Sequence, residues 1–156
     1  MTEMEKRNHR VCFTGHRPEK LSREQQSIRK DLEKEIRQAI ADGLNVFITG
    51  MARGVDIWAA QIVLTLRNEG YPVKLVCACP YEGFEAGWQY EWQMQYKTIL
   101  ASADFVKYVS KGYSRSCFQL RNEWMVNHAA RVIAVFHGKK GGTQNTIQYA
   151  VTAGIP

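Results

Sequence analysis

The sequence predicts a three-layer α/β sandwich around a mostly parallel central sheet. Short apolar runs of strand length alternate with longer stretches of helical period, which is the pattern of βαβ units. Most of these runs stop at glycine or proline, the residues that turn a strand into a connection. A length of 156 residues with 45% hydrophobic side chains suits one domain, residues 1–156, with a real core.

Each element has its own signature. Val11–Thr14 is a short strand ending at Gly15. From Ser22 to Ala41 the apolar residues Ile28, Leu32, Ile36 and Ile40 recur every four positions and mark one helix face. Ser22 and Gln25 have the spacing of a capping box, and Gly43 is a good stop. Leu44–Thr49 is the second strand, closed by Gly50, and Val55–Asn68 the next helix, stopped by Gly70 and Pro72. Val73–Cys79 is the third strand, ended by Pro80, with helical period resuming from Trp88 to Ala101. Asp104–Val109, a helix over Phe118–Ala129, a fifth strand over Arg131–His137 and a helix over Thr143–Thr152 complete the order. Gly154 reads as a helix C-cap after which another strand is expected, so a final C-terminal strand is expected to be missing. Right-handed crossovers between parallel strands make this a Rossmann-like arrangement, with ligands beyond the carboxyl ends of the strands.

Composition narrows the function. No apolar stretch reaches the roughly 18–20 residues of a membrane span, and Met1–Arg10 lacks the apolar centre of a secretory signal, so the cytosol is the expected location. Cys12, Cys77, Cys79 and Cys117 lie in apolar runs or near a helix start, where cysteine behaves as a small hydrophobe. Cys77 and Cys79 lack the spacing and the second ligand pair of a zinc or redox motif, so no metal is expected. The net charge of +6 favours anionic partners, phosphates or nucleic acid. Much of the excess lies between Lys6 and Lys34, interleaved with Glu24, Asp31 and Glu33, as on a solvated helix face.

Three strand-to-helix turns are rich in glycine and small polar residues. They are Thr14-Gly15-His16-Arg17-Pro18, Thr49-Gly50-Met51-Ala52-Arg53-Gly54-Val55-Asp56 and Gly138-Lys139-Lys140-Gly141-Gly142-Thr143. Glycine lets the backbone approach a ligand closely, and a helix starting there offers unpaired N–H groups to an anion. Any one such turn is explained by tight turning alone; three at one sheet edge point to binding. Neither the P-loop pattern nor the G-x-G-x-x-G dinucleotide fingerprint is present, which removes support for the usual ATPase and dehydrogenase readings.

Arg17 and Arg53 have the guanidinium fork that grips phosphate. Asp56, in a first helical turn, either caps N–H groups or accepts from a ribose hydroxyl. Thr143 suits both a helix cap and a phosphate contact, and Asn145 and Thr146 share its turn. His16 is either a donor or base near neutral pH or a packed histidine, and His128 reads as structural. Tyr81, Phe84, Trp88, Tyr90 and Trp92 crowd the third loop and the helix after it, as core, oligomer contact or base-stacking surface.

The first two turns, Val11–Pro18 and Thr49–Ala60, resemble the opening motifs of the DNA-processing protein A (DprA/Smf) fold. Arg121-Asn122-Glu123-Trp124-Met125, His128-Ala129 and Gly141-Gly142-Thr143 resemble the lonely-guy (LOG) phosphoribohydrolases. Both groups belong to the SLOG superfamily, and order and spacing across nearly the whole chain are most similar to its YpsA-like branch, a bacterial and phage family. The resemblance implies a Rossmann-like sheet whose glycine-rich loops, with Gly15, Gly50, Gly54, Gly141 and Gly142, hold a nucleotide or an ADP-ribose-like ligand. It also implies a binding or catalytic role for Arg121, which matches the LOG arginine, as against a solvated helix charge. The LOG catalytic glutamate corresponds to Thr146, so the carboxylate that would support glycosidic cleavage is missing there. A nucleotide-binding or sensing domain is therefore the expectation, ahead of a LOG-like phosphoribohydrolase or a DprA-like single-stranded DNA binder. The dimers and larger assemblies common in both groups imply self-association.

Overall fold

The computed structural model describes residues 2–15, 17–18, 24–135 and 142–152. Among these the chain forms α1 (Glu3–Arg7), β1 (Arg10–Gly15), α2 (Gln25–Ala41), β2 (Val46–Thr49), α3 (Val55–Asn68), β3 (Lys74–Cys79), α4 (Tyr90–Ser102), β4 (Phe105–Tyr108), α5 (Cys117–Asn127), β5 (Arg131–Val135) and α6 (Gly142–Thr152). The five strands pair in the order β4-β3-β2-β1-β5, every neighbour parallel. The chain steps outward from β1 to β4 and then returns to place β5 on the other side of β1. That reversal puts the topological switch point, where open α/β sheets bind ligands, between β1 and β5.

Period-two alternation decides the layers. Val11, Phe13, Phe47, Leu75, Cys77 and Cys79 face a core shared with α2, α3 and α4. Cys12, Ile48 and Ala78 face the opposite side, against Met125, Val126 and Ala129 around α5 and Ala150 of α6. The result is the Rossmann-like three-layer sandwich that the alternation of elements predicts. α3 is buried almost all round, because it lies against the sheet between the other two helices of its layer.

Several boundaries differ from the sequence-based expectation. α2 begins at Gln25 with Glu24 at its N-cap position, while Ser22, the expected cap, lies outside the described residues. Leu44 is not in a strand: its N–H donates to the Ala39 carbonyl across Gly43, which closes α2 at a φ of 92°. α1 has no counterpart in the expectation. It is five residues long and buries none of them, so it leaves no apolar period to read. What fixes it is local: Thr2 and Glu5 form a reciprocal capping box.

All four cysteines are free and buried, as packing residues should be. No helix among the described residues is long and apolar enough to cross a membrane. Among the same residues no group of three His, Cys, Asp or Glu is placed to hold a metal.

Candidate functional site

A cleft of about 590 Å³ opens at the carboxyl edge of the sheet. It gathers residues from four connections: Thr14, Gly15 and Arg17 after β1, Ala52, Arg53 and Asp56 after β2, an aromatic group after β3, and Thr143 at the start of α6. Phe118, Arg121 and Asn122 reach it from α5.

The β2–α3 corner carries the most information. Gly54 opens α3 at a φ of 94°, and the buried Met51 also has a positive φ of 63°, an uncommon state for a residue with a side chain. Three bonds from neighbouring residues fix this shape. The Thr49 hydroxyl donates to the Asp56 carbonyl at 2.8 Å, and the Met51 N–H donates to the Thr49 hydroxyl at 3.4 Å. The Ala52 N–H donates to Asp56 Oδ2 at 3.2 Å, while Asp56 Oδ1 is buried without a partner among the described residues. Burial raises the Asp56 carboxyl to about 6, more than Arg121 and the Ala52 N–H together lower it.

Arg121 is 6% exposed, so the reading as a solvated helix charge is corrected. Its guanidinium donates to the Gly50 carbonyl and, at 2.7 Å, to Asn122 Oδ1, and it lies 6.0 Å from the centre of the Phe118 ring. A side chain on Gly50 would meet Arg121 Cδ and Asp56 Oδ2 at 3.0 Å, so this glycine lets the arginine and the carboxylate come together. Burial lowers the Arg121 pKa, and Asp56 opposes that shift.

Gly15 is needed for a different reason. A Cβ there would stand 2.5 Å from Val55 Cβ, so the first residue of α3 packs directly on the end of β1. Thr143 and Thr146 are both buried in the first turn of α6, whereas Asn145 is exposed. Of these, Thr143 lines the cleft. Thr146, at the LOG glutamate position, is completely buried. Arg53 is half-buried and Arg17 exposed. His16, Gly141 and the Gly138–Lys140 part of the third turn lie outside the described residues, and of Gly142 only the backbone is described.

The aromatic residues divide. Tyr81, Phe84 and Trp88 line the cleft with Phe118, and Phe84 is the hub, with ring centroids 5.7 Å from Tyr81, 5.0 Å from Trp88 and 5.7 Å from Phe118. Tyr113 joins the group against Tyr81 and Phe118. Trp92 instead packs on Trp58, and Tyr90 points to solvent. Asn122, Phe118 and Tyr113 were not among the expected site residues. Their local sequence is ordinary helix or loop, and only the return of α5 to the sheet brings them in. His128 stacks on Trp124 at 4.1 Å, away from this cleft, and lines a separate groove of about 610 Å³ near the amino ends of the strands.

A parallel sheet with a switch-point cleft between glycine corners defines a Rossmann-like domain of the SLOG class. The chain belongs to the YspA SLOG family, whose model matches residues 11–153. It is 33% identical over 144 residues to a UPF0398 protein of Shouchella clausii, covering 86% of this chain and 77% of that one. It is also 34% identical over 116 residues to the SPbeta prophage-derived protein YoqJ of Bacillus subtilis, covering 67% and 68%. Two solved structures share the fold. DNA processing protein A of Streptococcus pneumoniae superposes with a TM-score of 0.66 at 19% identity, over 95% of this chain and 48% of that one. The Helicobacter pylori protein, solved for its single-stranded DNA binding mode, gives 0.68 at 16% identity, over 99% of this chain and 65% of that one. The chain thus spans about half to two thirds of these solved proteins.

Proposed function

We propose that the cleft binds a nucleotide or nucleotide derivative, and that the domain acts as a binding or sensing module. One observation carries the reading: a single cleft is lined both by glycine corners with arginines and by a cluster of aromatic rings. Glycine corners and arginines suit a phosphate, and aromatic rings suit a base. Gly15, Arg17, Arg53 and Thr143 are the candidates for the phosphate, and Tyr81, Phe84, Trp88 and Phe118 for the base. Arg121 is a positioning residue in this reading, since its donors hold Gly50 and Asn122.

A thermal-shift screen of nucleotides, ADP-ribose and nicotinamide dinucleotides tests the reading. A ligand at a hundred times its Kd adds about 2.7 kcal/mol. At roughly 2–4 °C per kcal/mol for a domain of this size, the melting point should rise by about 5–11 °C. No shift with any of these ligands would reject it.

A second reading, single-stranded DNA binding, draws support from the fold shared with the Helicobacter pylori protein and from the charge of +6. It requires affinity for an oligonucleotide that falls steeply with added salt. Glycosidic hydrolysis draws less support, because Thr146 has no carboxylate to offer. Release of free base from nucleoside monophosphates, abolished by Arg121→Ala, would revive it.

A further inference from the structure

We propose that Asp56 is the acceptor for a ribosyl hydroxyl, so that the cleft takes ribonucleoside phosphates in preference to counterparts whose sugar lacks the 2′- and 3′-hydroxyls. This rests on the nucleotide reading of the cleft and adds the class of sugar.

Strand order supplies the geometry. At the carboxyl edge of the sheet the aromatic loop leaves β3, the Asp56 corner leaves β2 and the Gly15 corner leaves β1. Neighbouring strands stand about 4.8 Å apart, so the aromatic loop and the Gly15 corner are roughly 10 Å apart, with the β2 corner between them. A nucleotide has the same order, base, sugar, phosphate. The group facing the sugar position is then Asp56.

Its chemistry fits that place. An ionised carboxylate only accepts hydrogen bonds and repels phosphate, so a neutral donor such as a sugar hydroxyl is the matching partner. One of its oxygens is committed to the Ala52 N–H, and the other is buried with no partner among the described residues although Asp56 lines the cleft. The residue is 7% exposed, and an unpaired buried acceptor is costly, so a hydroxyl donated to it would offset that cost. Burial raises its carboxyl to about 6 against the opposing Arg121 charge, so the ionised, accepting form still prevails at about pH 7.5.

The test compares AMP, GMP, CMP and UMP with their 2′,3′-dideoxy counterparts by calorimetric titration of the full chain at about pH 7.5. Hydrogen bonds to a charged group imply a ribose preference of roughly tenfold to a hundredfold for whichever base binds. In Asp56→Leu, which offers no acceptor, that ratio should fall to within about threefold. Equal affinity of wild type for ribo- and dideoxy forms would overturn the sugar assignment while leaving the nucleotide reading intact. A ribose preference that survives in Asp56→Leu would overturn the role of Asp56. If wild type bound none of the eight, the nucleotide reading itself would fail, and this inference with it. The wild-type ratio needs no variant, so it decides the sugar class even if Asp56→Leu folds poorly.

Discussion

Arg121 joins the second glycine corner to α5, and its replacement by methionine isolates what the guanidinium contributes. Methionine keeps an unbranched stem against Phe118 but deletes the donors to the Gly50 carbonyl and Asn122 Oδ1. It also removes the opposite charge beside Asp56. Each lost charge-assisted hydrogen bond costs about 1.5–3 kcal/mol, so two give about 3–6 kcal/mol. Breaking a buried charge pair by removing one partner costs about 3–5 kcal/mol, which lies within the same range. At roughly 2–4 °C per kcal/mol, the melting temperature should fall by about 6–24 °C. Circular-dichroism melts of wild type and Arg121→Met at neutral pH measure this directly. A second readout is specific to the charge: the Asp56 carboxyl, followed by carbon NMR, should titrate above its value of about 6 once the guanidinium is gone. A melting point within about 2 °C of wild type would refute the reasoning, because it would place Arg121 in solvent.

Other perturbations follow from the same corner. Burial raises Asp56 from 3.8 to about 6, so the folded state holds this proton more tightly than the unfolded chain. That contribution is complete below pH 3.8 and is lost as pH rises through about 6. Lowering the pH from about 7 to about 5 should stabilise wild type relative to Asp56→Asn by about 1 kcal/mol, read from paired urea titrations. Parallel pH profiles would contradict the shift. Gly15→Ala should cost about 1–3 kcal/mol by overpacking against Val55. Adding Val55→Ala should recover part of that loss, and an additive double variant would show that the two sites do not touch. The four buried thiols should resist an exposed-thiol reagent in the native protein and all react in denaturant.

The order of strands and helices was legible because short continuous apolar runs alternate with longer stretches that repeat an apolar face at helical spacing. The glycine corners were legible as well, since few residues other than glycine and proline punctuate so regularly. What they do was less so. Gly15 reads as a turn residue, yet its lack of a side chain is demanded by Val55, forty positions later in the chain. Arg121 sits among polar neighbours and reads as either solvated or functional. Its burial follows from α5 crossing behind the sheet to the Gly50 carbonyl, a contact no local pattern encodes. Phe118 and Tyr113 were missed for the same reason: the rings crowded after β3 were legible, but nothing local tells that α5 and the segment before it bring two more against them. α1 could have been found from Thr2 and Glu5 alone, but a capping box without an apolar face is weak grounds for a helix.

The most direct test follows the tryptophan indole signals of the labelled protein by NMR during titration with AMP or ADP-ribose. Trp88 lines the cleft and should shift saturably, whereas Trp124, in the groove near the amino ends of the strands, should stay in place. Movement of Trp124 without Trp88, or no movement of either at millimolar ligand, would contradict a nucleotide site at the carboxyl edge of this sheet.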